Sequence, residues 1–118
     1  MQFTAKTRHI WYSPYKLRPL ADVIRGKSAT YALNWLMTYK TPRAIPVRKT
    51  LQSAIANAYD LQEVAVQDLV IKEIKVDQGP TRKYFKPSAM GRAQTQRKRQ
   101  SHISVVLEVK KQLKNKEA

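Results

Sequence analysis

VAVQDLVIKEIKV, residues 64–76, and ISVVLEV, residues 103–109, decide the fold. The first is rich in β-branched residues. The second alternates, with Ile103, Val105, Leu107 and Val109 on one face and Ser104, Glu108 and Lys110 on the other. Period-two alternation predicts a half-buried strand. If the two strands pair antiparallel with partner numbers summing to 179, Val70 faces Val109, Ile74 faces Val105 and Val76 faces Ile103. One face is then apolar throughout, the condition that fixes register in such a sheet. The same register centres a turn between Ala89 and Met90, flanked by Pro87 and Gly91 as turn chemistry requires.

Residues 69–109 therefore read as one long hairpin. Arms of roughly 17 residues, rising about 3.3 Å each, reach on the order of 55 Å. A compact chain of this length has a radius of gyration of only about 13–14 Å, so the outer half must project. That half runs from about Gly79 to Gln100, and the 24 residues from Gly79 to His102 hold seven Lys/Arg and no Asp or Glu. It has almost no apolar alternation and nothing in the chain to bury it. A polyanion is the partner it calls for.

Working back toward the N-terminus, residues 1–10 alternate loosely and predict a strand, with Phe3, Ala5 and Thr7 on one parity. Ser13-Pro14 reads as a helix start, followed by Leu17, Leu20 and Ile24 at helical spacing and by Gly26 as the stop. Pro19 predicts a kink or an irregular first turn, since it removes a backbone donor. Ser28 caps a second helix whose stripe is Ala32, Leu33, Leu36 and Met37, with Trp35 beside it. Thr41-Pro42 starts a third, with Val47, Leu51, Ile55 and Ala58 inward, Ala54 and Ala56 thinning its surface, and Pro46 bending its first turn. Trp11 and Trp35 read as packing residues. The expected fold is α+β: three helices on a small antiparallel three-stranded sheet, with a long protruding β-hairpin. One domain spans 1–118, its globular part at about 1–78 and 101–112, the hairpin at about 79–100 and a basic tail at 110–118.

Composition narrows the function. The 118 residues carry 23 Lys+Arg against 8 Asp+Glu, a formal charge of +15, and the pI is about 10.3. Such a charge bears on partners, chiefly nucleic acid or anionic membrane. No run approaches the roughly 18 apolar residues of a membrane span, and MQFTAKTRHI has no signal-like apolar region. A soluble intracellular protein is expected. Cysteine is absent, which excludes disulfides and thiol metal sites, and two histidines do not make a zinc site.

The hairpin cations Arg82, Lys83, Lys86, Arg92, Arg97, Lys98 and Arg99 suit phosphate contacts, and Tyr84 and Phe85 among them suit base stacking. Lys6, Arg8, Lys16, Arg18, Arg25 and Lys27 form a second basic group, with Lys16 and Arg18 leaving the apolar stripe of their helix. Arg48 and Lys49 are weaker candidates, and Lys110, Lys111, Lys114 and Lys116 form the tail. His9 and His102 have no Ser, Cys or paired carboxylate beside them in sequence to complete a catalytic set. Asp77 faces His102 in the register above, which points to a structural hydrogen bond.

Several stretches together resemble the bacterial large-subunit ribosomal protein twenty-two family over nearly the whole chain. They are Ser13-Pro14 with Lys16; Ala21-Asp22 with IRGK, 24–27; Leu51 with SAIANA, 53–58; Val76-Asp77 with Gly79-Pro80; Pro87, Ala89 and Gly91-Arg92-Ala93; and Lys98-Arg99 before SHI, 101–103. The resemblance implies a cytoplasmic, ribosome-bound protein with no enzymatic activity, cofactor or metal, which is neither membrane-bound nor a homo-oligomer. It implies a globule near the exit of the nascent-peptide tunnel and a hairpin threaded inward through rRNA. The partners implied are large-subunit rRNA, neighbouring ribosomal proteins and the nascent peptide. It adds His9, Asn57, Ser101 and His102 to the expected rRNA contacts, and makes Lys86, Pro87, Ser88, Ala89, Met90, Gly91 and Arg92 the tunnel tip. Ser88 and Met90 stand where the family usually carries basic residues, so the tip is less positive. Gln96 and Arg97 replace residues commonly apolar, which shifts charge toward Arg97-Lys98-Arg99. The alternative is a free architectural RNA- or DNA-binding protein.

Overall fold

Ile103, Val105 and Leu107 are fully buried, and the rest of the chain is arranged around them. The computed structural model describes residues 2–87 and 93–110, of which 82–98 are described only as backbone. In chain order run β1 (Gln2–Ile10), α1 (Pro14–Ile24), α2 (Ala29–Thr38), α3 (Ala44–Gln62), β2 (Leu69–Gln78), β3 (Arg82–Pro87), β4 (Ala93–Lys98) and β5 (Ser101–Val109). β5 lies between β1 and β2 in an antiparallel sheet, and β3 and β4 pair with each other as a separate ladder. This is the expected α+β architecture. The principal extents are 72 × 25 × 17 Å and the radius of gyration is 18.1 Å, well above the about 13–14 Å of a compact chain this long.

The β2–β5 ladder follows the expected register from Gln78–Ser101 to Glu73–Val106, with Ile74 opposite Val105 and Val76 opposite Ile103. It then shifts. Ile71 faces Leu107, Val70 faces Glu108 and Leu69 faces Val109, so the expected Val70–Val109 pair does not form. Lys72 is the extra residue of a β-bulge. The bulge reverses the parity of the strand, and Leu69, Ile71, Ile74 and Val76 all end on the buried face. A regular strand would have turned two of the four to solvent. Strand structure also starts later than expected, because Val66–Asp68 form a 3-10 turn.

The outer ladder pairs Arg82 with Lys98 through to Pro87 with Ala93, one step off the inner register. The offset arises because residues 79–81 connect β2 to β3, whereas only 99 and 100 connect β4 to β5. The expected turn at Ala89 and Met90, with the other tip residues Ser88, Gly91 and Arg92, lies outside the described residues, as do Lys111, Lys114 and Lys116.

Three helices cover the apolar face. Ser13 is extended and Pro14 takes the first helical position of α1, where a missing N–H costs nothing. Its first turn is closed by a short-spaced bond from Lys16 N–H to the Ser13 carbonyl at 3.1 Å, and the helix continues through Pro19. Leu17, Leu20, Ala21 and Ile24 are buried. Gly26 follows with φ +80, a left-handed conformation that glycine adopts without penalty. The Ser28 hydroxyl accepts from Tyr31 N–H at 3.2 Å and caps α2. Ala32 and Leu36 are buried as expected, but Met37 is 62% exposed; one residue beyond Leu36, it has rotated off the inner face. Trp11, expected to pack inside, is 48% exposed, whereas Trp35 is half-buried and stacks on Tyr39 at 4.8 Å.

Thr41 and Pro42 form a turn before α3 and not its first turn, with Ala44 N–H donating to the Thr41 carbonyl at 2.9 Å. Pro46 sits in the first turn of the helix, where backbone donors have no intrahelical partner. Val47, Leu51, Ala54 and Ala58 are buried, and so is Thr50, whose hydroxyl donates to the Pro46 carbonyl at 2.8 Å and takes a bond from Thr7 at 2.7 Å.

Removing Lys72 leaves β2 a regular strand with the same four residues inward. We expect its deletion to cost about 1–2 kcal/mol, an ordinary single-change penalty. An alanine inserted between Ile74 and Lys75 turns apolar residues outward at about 1.5–3 kcal/mol each and unfolds the chain. Urea denaturation followed by circular dichroism distinguishes the two, and equal losses would contradict the bulge assignment.

Candidate nucleic-acid interface

β2 is an edge strand, and an open edge invites unwanted pairing. Here the edge is covered from within. Gly26 N–H donates to the Ile71 carbonyl at 3.2 Å, and Ile71 N–H donates to the Lys27 carbonyl at 3.0 Å. Further along, two arginines of α1 and its cap take over. Arg25 Nη2 donates to the Ile74 carbonyl at 2.8 Å. Arg18 donates through Nε and Nη2 to the Val76 carbonyl at 3.3 and 3.2 Å. Carbonyls two residues apart on a strand point the same way, and arginines seven apart share a helix face. Both guanidinium groups keep exposed donors, though Arg25 also pairs with Asp22 at 2.6 Å. Sequence reading placed Arg18 and Arg25 on an RNA surface; the structure gives each a protein contact as well.

The other cations of the N-terminal group are divided between the α1 side and β1. Lys16 and Lys27 are exposed near α1, with the Lys27 ammonium 5.7 Å from the centre of the Tyr31 ring. Lys6 and Arg8 are exposed on β1, across the sheet. Lys6 pairs with Ser104, and Ser104 also pairs with Lys75 of β2. The row Lys6–Ser104–Lys75 therefore crosses the open sheet face. Lys75, 3.6 Å from Glu73 in an exposed pair, is absent from the expected set, although the register alone places it there. Lys49 and Asn57 are exposed on α3. Asn57 Nδ2 donates to the Thr4 carbonyl at 3.0 Å and ties α3 to β1.

The root of the hairpin is a polar cluster. β1 breaks register between Thr7 and Ile10, and His9 takes a left-handed φ of 59. His9 N–H donates to His102 Nδ1 at 3.1 Å, which leaves the His102 proton on Nε2. The two rings meet edge to face at 5.0 Å. His9 Nδ1 bonds Gln100 Oε1 at 2.9 Å, and Gln100 is itself buried. The Gln100 carbonyl accepts from Gly79 N–H at 2.8 Å. Asp77 does face His102 in the ladder, but the bond to His102 comes from the His9 backbone and not from Asp77. Ser101 is fully buried, and its hydroxyl donates to the Tyr12 carbonyl at 2.6 Å. Of the residues the resemblance added, Ser101 is thus an internal tie and His102 part of a latch. Gln100, which sequence reading missed, joins both arms of the hairpin to β1.

Arg82, Lys83, Tyr84, Phe85 and Lys86 lie on β3, and Arg97 and Lys98 on β4, where backbone alone is described. Arg82 is paired with Lys98 and Lys83 with Arg97. Like charges set opposite each other repel, so this ladder concentrates positive charge and awaits a counter-charge. Arg99 is exposed at its base. Among the described residues, no group of His, Cys, Asp and Glu is placed to hold a metal ion, and no helix is long and apolar enough to cross a membrane.

Residues 5–108 match the family described as Ribosomal protein L22p/L17e. Among curated proteins, large ribosomal subunit protein uL22 of Desulfitobacterium hafniense (strain Y51) is 48% identical over 111 residues, covering 94% of this chain and 97% of that protein. The uL22 proteins of Myxococcus xanthus (strain DK1622) and Bifidobacterium longum (strain DJO10A) are each 46% identical, with 91% of this chain covered and 96% and 94% of theirs.

A Cβ on Gly79 would lie 3.0 Å from His102 Cε1 and 3.1 Å from Nε2. Gly79→Ala must displace that ring and weaken the His9–His102 bond. We expect a loss of about 1–3 kcal/mol, as for other overpacked sites, together with a changed His102 ring-nitrogen NMR signal. An unaltered signal would mean that the ring does not latch the hairpin.

Proposed function

The chain belongs to the ribosomal protein L22p/L17e family, and from that membership we infer a structural constituent of the large ribosomal subunit that binds its rRNA. It supports subunit assembly, and its hairpin lines the nascent-peptide exit tunnel. Its partners are rRNA, neighbouring large-subunit proteins and the nascent peptide, and it works on the cytoplasmic ribosome. It catalyses no reaction.

The observation that carries this reading is the separate β3–β4 ladder, an acid-free basic arm in a molecule 72 Å long and only 25 × 17 Å across. Paired strands hold the arm's backbone straight, and rRNA phosphates supply the charge it lacks. Recognition is of phosphate position and RNA shape, since side chains cannot read the deep major groove of an RNA duplex. We assign the main rRNA contacts to the arm, from Arg82 to Arg99, and to the exposed Lys6, Arg8, Lys16, Lys27 and Lys49, with the remaining donors of Arg18 and Arg25 adding to them. The tip, Lys86 to Arg92, faces the tunnel lumen.

The full-length chain should sediment with the large subunit through a moderate-salt gradient. Recovery mainly free or on DNA would favour an architectural protein outside the ribosome. Replacing Arg97, Lys98 and Arg99 together by alanine should weaken binding to isolated rRNA and flatten its log–log salt dependence by up to about three units. An unchanged slope would remove those residues from the contact set.

A further inference from the structure

Residues 50–71 are the longest stretch without Lys, Arg or His, 22 residues in a chain that carries 23 Lys+Arg in 118. The fold gathers this stretch around an open apolar groove of about 380 Å³. Ile55, Ala56 and Tyr59 of α3 line it with Val64 and Val66 beyond the helix, and Leu33 of α2 closes the far side. Tyr59 and the nearby Leu61 are 62% and 70% exposed. Three acids adjoin lining residues in the chain. Asp60 follows Tyr59, Glu63 precedes Val64 and Asp68 follows Gln67, and all three are exposed. The C-terminal end of α3 adds the negative end of its dipole here.

This surface has the wrong chemistry for RNA. Phosphate contacts need cations, and none is carried by the lining stretch. An apolar groove with acidic borders complements a basic protein segment, and complementary charge selects such a partner over a polyanion. The volume falls at the lower end of the about 300–1,000 Å³ typical of binding pockets and suits a few side chains.

We propose that the groove between α2, the second half of α3 and residues 64–67 docks a neighbouring large-subunit protein through an apolar side chain flanked by Lys or Arg. The inference rests on the ribosomal reading above and adds a partner surface to it. The protein therefore has two faces, a basic one for rRNA and an acid-bordered apolar one for protein.

A photo-reactive phenylalanine derivative at Gln67 tests this in assembled large subunits, with the same label at Lys27 as an RNA-side control. The Gln67 label should give a peptide adduct on another subunit protein, mapping to an apolar residue with Lys or Arg beside it. Adding Ala56→Arg, an exposed helical position that tolerates a long side chain, should cut that adduct at least tenfold while the chain still enters subunits. Adducts to rRNA alone, to the chain's own residues 111–118, or none at Gln67 while Lys27 labels RNA would overturn the groove proposal. A labelled chain that does not sediment with the large subunit would overturn the ribosomal reading and this inference with it.

Discussion

The antiparallel pairing of β5 with both β1 and β2 is the constraint on which the molecule depends. It puts Ile103, Val105 and Leu107 in the middle of the sheet, where the helices bury them. It also sets the arm. β2 and β5 lead into β3 and β4 within three residues on one side and two on the other, so the direction of the projecting ladder is inherited from the register of the buried one. A slip of one residue would expose the core and re-aim the arm together, because side chains alternate between faces. The His9–Gln100–His102 cluster stands where the two ladders meet and ties the arm's root to β1.

Edge protection and charge use the same side chains. Arg18 and Arg25 satisfy β2 carbonyls and still expose donors. Guanidinium can do this because its five N–H groups are fixed in a planar fork, whereas an ammonium is a single point of charge. Two exposed basic side chains are thus also what covers part of the open edge of the sheet. Asn57 ties the opposite edge strand to α3 by a neutral version of the same contact.

Charge is also divided along the chain. The arm lacks acids, and residues 50–71 lack bases. The first cannot be buried against protein without counter-ions, since desolvating an unpaired charge is costly. The second has an apolar groove that phosphate does not stabilise. One small body can therefore sit between RNA and protein without its two surfaces competing for the same partner.

Much of this was legible in the sequence. Alternation in residues 103–109 located β5, the IRGK, SAIANA and SHI motifs pointed to the family, and the acid-free run marked the arm, because periodicity and charge are local properties. The Lys72 bulge left a trace too, in the three-residue step from Ile71 to Ile74 that no regular strand can place on one face. What residue types did not reveal was which polar groups the fold would consume. Ser101 was an expected rRNA contact and is buried against Tyr12; Trp11 was read as a packing residue and is exposed; Gln100 fell in the expected hairpin with no role assigned and holds the arm's root. Such outcomes depend on which backbone groups are left over once sheet and helices have packed, and only the assembled tertiary structure settles that.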